Sequence, residues 1–262
     1  MKKKWLFAAA AVLSLSLAGC GSNSSKTATD NNSDQNKKVL VMGTSADFAP
    51  FEYIDATKSD EIIGFDVDLA KAVTQKMGYQ LKIQDMEFNS LIPAVQSKKI
   101  DFSTAGITPN PERAKVVDFT DSYYDTHDYL ITKKDFKFDK IDDLKGKKIG
   151  AQVSSIEEDT AKSISDKVSG VKVETRDRVP ELIQEVKLGR LDGIVLEDIV
   201  AENYVKQNPD LKYSAIQGVE NQKKAAAFPK GSKLVKEYNK AVKELNDAGE
   251  IDKMKAKWFK VK

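Results

Sequence analysis

One cysteine and one histidine among 262 residues limit the chemistry at once. An intramolecular disulfide needs two thiols, and the common zinc sites draw on several Cys or His ligands, so neither can hold this chain together. Charge of one sign is also scarce, with 42 Lys and Arg against 40 Asp and Glu. Three of those bases, Lys2, Lys3 and Lys4, stand in a leader that contains no acid. A protein held to nucleic acid by phosphate neutralisation needs a strong basic excess, and that class loses its support. No D-x-D-x-D-G calcium loop occurs, and neither a metal nor a cofactor is expected. What is present, 31% charged and 40% hydrophobic side chains, excludes both a disordered chain and a multi-spanning membrane protein. The length allows one large core or two modest ones.

The leader has a basic start at residues 1–4, an apolar run at 5–17 too short to span a bilayer as a mature helix, and then Leu17-Ala18-Gly19-Cys20. Residues 1–19 read as a cleaved lipoprotein signal peptide. The last four residues resemble the bacterial lipobox, which implies diacylglyceryl transfer to Cys20, acylation with chains such as palmitate, and a membrane anchor. Residues 20–38 hold no large apolar side chain beyond that cysteine and read as a flexible tether. Its root-mean-square reach is about 23 Å.

From Val39 onward, short apolar runs alternate with helical patterns, the signature of an α/β domain with a largely parallel sheet. Strands are expected at 39–44, 79–84 and 100–105, with helices at 65–77 and 90–97, the second carrying Pro93 in its first turn. The same order returns: strands at 148–153, 171–175 and 191–196, helices at 155–162 and 180–188. Residues 94–101 and 184–192 each run a helix end through a basic residue and an apolar-Asp pair into a strand. Further helices are expected at 199–206, 232–248 and 250–259, with strands near Tyr213 and at 225–228. Packing the last helices back on the first half makes the chain cross twice between two lobes, near 123–126 and 220–225. The expected domains are lobe one, 39–124 plus 225–262, and lobe two, 125–224.

Five motifs then carry a resemblance: GTSADFAPFEY at 43–53, GFDVDL at 64–69, FNSLIP at 88–93, AGITPNPER at 105–113 and DFT at 118–120. They resemble the polar amino-acid substrate-binding proteins of ABC importers, solute-binding protein family 3, and among them the arginine-binding lipoproteins of Gram-positive bacteria. The resemblance covers the whole mature body. It implies a type II periplasmic-binding fold, two α/β lobes joined by a two-segment hinge, with no enzymatic turnover. It also implies a monomer on the extracytoplasmic face of the bacterial membrane that hands a free L-amino acid to the permease subunits. The rivals are an enzyme on the same fold, of the cyclohexadienyl dehydratase kind, and a surface adhesin.

A free amino acid offers a carboxylate and an ammonium, so its site needs a fixed cation, a fixed anion and paired backbone groups. Arg113 can fork onto the carboxylate, and the resemblance puts it there. By the same resemblance Gly106 and Thr108 contact the ammonium and carboxylate, Ile156 donates a backbone N–H at a helix start, and Glu197 takes the ammonium. Phe48 and Phe88 stand where family members sandwich the ligand's side chain, while Phe51 reads as core. Ser45 stands where many relatives carry an acid. Asp47 and Glu52 lie close enough in sequence to serve a guanidinium, and neutral Gln152 removes a repelling charge. A basic, arginine-like ligand is therefore expected, with glutamine or cystine as rivals. His127 reads as structural or exposed, and residues 253–262 as a basic terminal helix sealing lobe one.

Overall fold

The computed structural model describes residues 38–259. The expected signal peptide, Cys20, all of the tether but Lys38, and Lys260 to Lys262 lie outside the described residues. None of the helices described is long and apolar enough to cross a membrane.

Two five-stranded sheets define two lobes. In lobe one, Val39–Thr44 pairs in parallel with Gln80–Asp85 on one side and Phe102–Ser103 on the other. Ala227–Pro229 follows, antiparallel to Phe102–Ser103, and Val117–Phe119 closes the edge. In lobe two, Lys148–Gln152 pairs in parallel with Lys172–Arg176 and Gly193–Glu197. Asp128–Lys133 then runs antiparallel to Gly193–Glu197, with Leu211–Ala215 at the edge. The sheets are therefore mixed rather than largely parallel, because a strand that enters from the other lobe meets the parallel set from the opposite direction.

The chain crosses between lobes as two short strands, Tyr124–Thr126 and Gln222–Lys224, which pair with each other antiparallel. A small three-stranded sheet, Asp47–Phe48, Glu52–Ile54 and Ile62–Ile63, folds the segment after the first strand into a compact loop.

The helix Phe65–Lys76 buries Phe65, Leu69 and Val73, the stripe its spacing dictates, and ends before Gly78 at φ 83°. Helix Phe88–Gln96 begins earlier than expected, so Pro93 lies in its second turn rather than its first. Its missing N–H leaves the Asn89 carbonyl without that helical partner. Helix Ile156–Lys167 runs a turn beyond its expected end; Ser155 caps it, accepting from the Glu158 N–H at 3.1 Å.

The final helices, Leu234–Asp247 and Glu250–Trp258, pack on Phe65–Lys76. Phe259 seals the aromatic core there, with ring centroids 4.7 Å from Phe65, 4.3 Å from Tyr124 and 5.2 Å from Phe51. His127 is exposed.

Candidate functional site

Carboxyl ends of strands from both lobes face one narrow cavity of about 10 Å³, room for about one water, so a ligand enters only when the lobes part. Ten of the expected site residues line it: Ser45, Asp47, Phe48, Glu52, Phe88, Gly106, Thr108 and Arg113 from lobe one, Gln152 and Ile156 from lobe two. Ala105, Glu157 and Lys224 complete the lining. Glu197 is a departure. It is fully buried, but its carboxylate meets the Lys224 ammonium instead of the cavity wall.

Arg113 is placed by its short helix, Pro111–Ala114. Pro111 supplies a preset φ at the helix start, and the Asn110 side chain accepts from the Arg113 N–H at 2.8 Å. Such a cap contributes about 1 kcal/mol. The guanidinium donates to the Thr108 carbonyl at 2.5 Å and, across the cleft, to the Ser154 carbonyl at 2.7 Å. Its carbon sits 5.6 Å from the centre of the Phe88 ring, within cation–π range. Burial lowers its pKa, with Glu157 and Asp159 opposing.

Gly106 has φ 54°, and a Cβ there would lie 2.9 Å from the Phe48 ring, so only glycine lets the ring and this loop meet. The loop is held from below by Asp66, whose carboxylate accepts from the Gly106 N–H at 2.9 Å and the Tyr123 hydroxyl at 2.7 Å. Asp66 thus does more than favour its helix dipole. Burial pushes its carboxyl up to about 6 against those two bonds.

Asp47 and Glu52 bring carboxyls to the lining. Asp47 accepts from the Ser45 hydroxyl at 3.2 Å and from the Val179 N–H of lobe two at 2.9 Å. It thereby caps the helix Val179–Lys187 from across the cleft. Burial raises Asp47 to about 6. Glu52 is fully buried, with no well-aligned donor at either oxygen and the Asp66 carboxyl as its hydrogen-bonding neighbour. Burial first, then Asp66 and Asp47, hold its carboxyl well above the ordinary range.

Further bonds join the lobes at the rim. Arg178 forks onto Asp85 at 3.1 and 3.0 Å and reaches Glu87 at 2.8 Å, and Tyr204 donates to the Asp47 carbonyl at 2.7 Å. Gln152 gives its amide to the Asp177 carbonyl at 2.9 Å.

Two charged lining residues escaped the sequence reading. Glu157 stands in a helix first turn, where an acid is explained by the dipole alone. Lys224 had a visible signal, since it immediately precedes Ala225-Ala226-Ala227-Phe228, every member of which is fully buried.

Residues 40–261 match the family model described as bacterial extracellular solute-binding proteins, family 3. The arginine-binding extracellular protein ArtP of Bacillus subtilis (strain 168) is 46% identical over 261 residues, 99% of this chain and 98% of that protein. A solved ancestral arginine-binding protein bound to arginine is 39% identical at TM-score 0.80, covering 85% of this chain and 99% of its own. The ancestral amino acid-binding protein AncCDT-1, a precursor of cyclohexadienyl dehydratase, is 32% identical at TM-score 0.77, covering 84% of this chain and 95% of its own.

Proposed function

This chain belongs to the bacterial extracellular solute-binding proteins of family 3, and from that premise we propose that it captures a basic, arginine-like L-amino acid between its lobes for an ABC importer. The observation that carries the reading is the charge set of the cavity wall. Arg113 provides a cation for a ligand carboxylate, and Glu52 with Asp47 provides buried carboxyls for a basic tail. A cationic tail laid between Phe48 and Phe88 brings donors and a countercharge to the Glu52 carboxyl, which otherwise lies against the carboxyl of Asp66. The arginine ligand of ArtP, by its name, and of the ancestral structure supports the same choice.

The ligand first meets lobe one, 39–124 with 225–262, and lobe two, 125–224, completes the contacts on closing. The closed form is favoured by that difference in affinity, and the permease reads it. The body acts as a monomer without enzymatic turnover. It is tethered through acylated Cys20, after removal of residues 1–19, to the outer face of the cell membrane.

A thermal screen against the twenty amino acids tests the reading. A ligand at 100 times its dissociation constant adds about 2.7 kcal/mol, and arginine is expected to give the largest shift. Glutamine or cystine giving the only shift overturns the arginine choice. No shift with any amino acid, or product released from prephenate or arogenate, overturns the binding function itself.

A further inference from the structure

Lys224 ends the crossover strand Gln222–Lys224; Lys223 beside it is exposed, whereas Lys224 is 1% exposed. Its ammonium pairs with Glu197 of lobe two and donates to the Thr108 hydroxyl of lobe one at 2.8 Å. The same side chain forms part of the cavity wall, and Glu197 does not.

A carboxylate and a neutral oxygen acceptor are what a ligand's α-ammonium requires once its water is stripped away. Here both are already engaged by an ammonium belonging to the chain. Glu197, fully buried, gains from Lys224 the countercharge that a buried carboxylate needs when the cleft is empty. Burial draws Lys224 down to about 8, with Glu157 and Asp128 opposing. Glu157, Asp128 and Asp66 also act on Lys224, and Glu157 acts on Arg113 as well, so the wall's acids are shared between two cations of the chain.

We propose that Lys224 is a specificity-determining residue whose ammonium fills the place opposite Glu197, so that the cleft recognises its ligand by carboxylate and tail and gains little from the α-ammonium. The proposal rests on the amino-acid reading above and names what that site does not select.

Calorimetry on the intact protein with L-arginine and with 5-guanidinopentanoate, arginine without its α-amino group, provides the test. On the wild type the two dissociation constants are expected to agree within about threefold, the scale of one weak neutral contact. In Lys224→Met, where Glu197 must take its cation from the ligand, loss of the α-amino group is expected to weaken binding at least about 30-fold. A 30-fold penalty already present in the wild type overturns the proposal and leaves the amino-acid reading standing. Equal penalties in the two proteins also overturn it. Binding of arginine by Lys224→Met alone overturns it, because the wild-type cleft then does not recognise its ligand by carboxylate and tail. No binding by either protein of any amino acid overturns both. Should another amino acid be the one bound, its own des-amino analogue takes the place of guanidinopentanoate. If Lys224→Met does not fold, the wild-type pair of ligands decides by itself.

Discussion

The two lobes solve one architectural problem twice and then diverge at the ends that face the ligand. Each sheet has its second strand at the edge, then its first, its third, an antiparallel incoming strand and a last strand. Where the third strand begins, Asp101 accepts from the Val41 N–H at 2.7 Å and Asp192 from the Lys148 N–H at 2.8 Å. Just before it, Ile100 reaches over Gly43 and Leu191 over Gly150, so closely that a Cβ on either glycine would lie 2.4 or 2.6 Å from the side chain above. The turns that precede differ in one respect. Gly189 takes φ 70° in lobe two, while Lys98 takes φ 58° in lobe one with a side chain attached. At the opposite, carboxyl ends the resemblance vanishes. Lobe one brings Arg113, Asp47 and Glu52, and lobe two brings Gln152, Ile156 and Glu157. The repeat therefore belongs to the framework, and the chemistry was built where the framework leaves the chain free.

If lobe one is the binding lobe, Arg113→Ala should weaken ligand binding by about 30-fold to several thousand-fold, the cost of a buried charge partner. Gln152→Ala, on the other wall, should cost no more than about tenfold, the range of one neutral hydrogen bond. Calorimetry on both variants checks the asymmetry, and equal losses would erase it.

The repeated aspartates should behave alike. Asp101→Ala and Asp192→Ala each leave a strand N–H without its carboxylate and should cost about 1–3 kcal/mol in urea unfolding. A neutral result in one lobe alone would mean the repeat is geometrical but not energetic there.

Acidity separates the lobes more gently. Asp47 and Asp66 of lobe one are raised to about 6, and Asp128 of lobe two to about 7, mainly by burial. Each holds its proton more tightly folded than unfolded, so each stabilises the empty protein below the ordinary carboxylate range. That contribution is lost as pH rises through the folded values. The melting temperature of the ligand-free protein should therefore fall between pH 5 and pH 7.5, by about 2–4 °C per kcal/mol lost. Asp128→Asn should flatten the upper part of that fall, and a melting temperature rising over the range would contradict it. A cationic ligand favours ionised Asp47, so its affinity should rise as the empty protein's stability falls.

The smallest effect concerns the turns. Lys98→Gly should stabilise lobe one by about 0.5–1 kcal/mol through relief of the left-handed residue, and Gly189→Ala should destabilise lobe two by a similar amount. Thermal unfolding of the pair, run side by side, measures the one local difference between two otherwise matching turns.

Long periodic elements were legible in the sequence. The apolar stripe of Phe65–Lys76 and the apolar run of Val39–Thr44 gave their elements within a residue, because both follow one period for their whole length. Two- and three-residue strands such as Asp47–Phe48 and Tyr124–Thr126 were not, since so few residues cannot display an alternation. Asp128–Lys133 escaped for another reason: four of its six residues are buried, and both sides of the strand are covered. Along the cavity, eight of the expected lining residues, all of lobe one, stand in the quoted motifs, whereas Gln152, Ile156, Glu157 and Lys224 lie outside any motif. The burial of Glu197 behind Lys224 could not be read at all, because it depends on two segments 27 residues apart meeting across a crossover.

The paired crossover has one further consequence. Gln222 lies opposite Thr126 and Lys224 opposite Tyr124, so the two passages are laced together and must flex as a single ribbon. A ribbon folds readily across its flat face and resists being wrung, which confines the halves to swinging about one line, like the covers of a book. Each time the covers meet, the Arg113 guanidinium returns to the same Ser154 carbonyl.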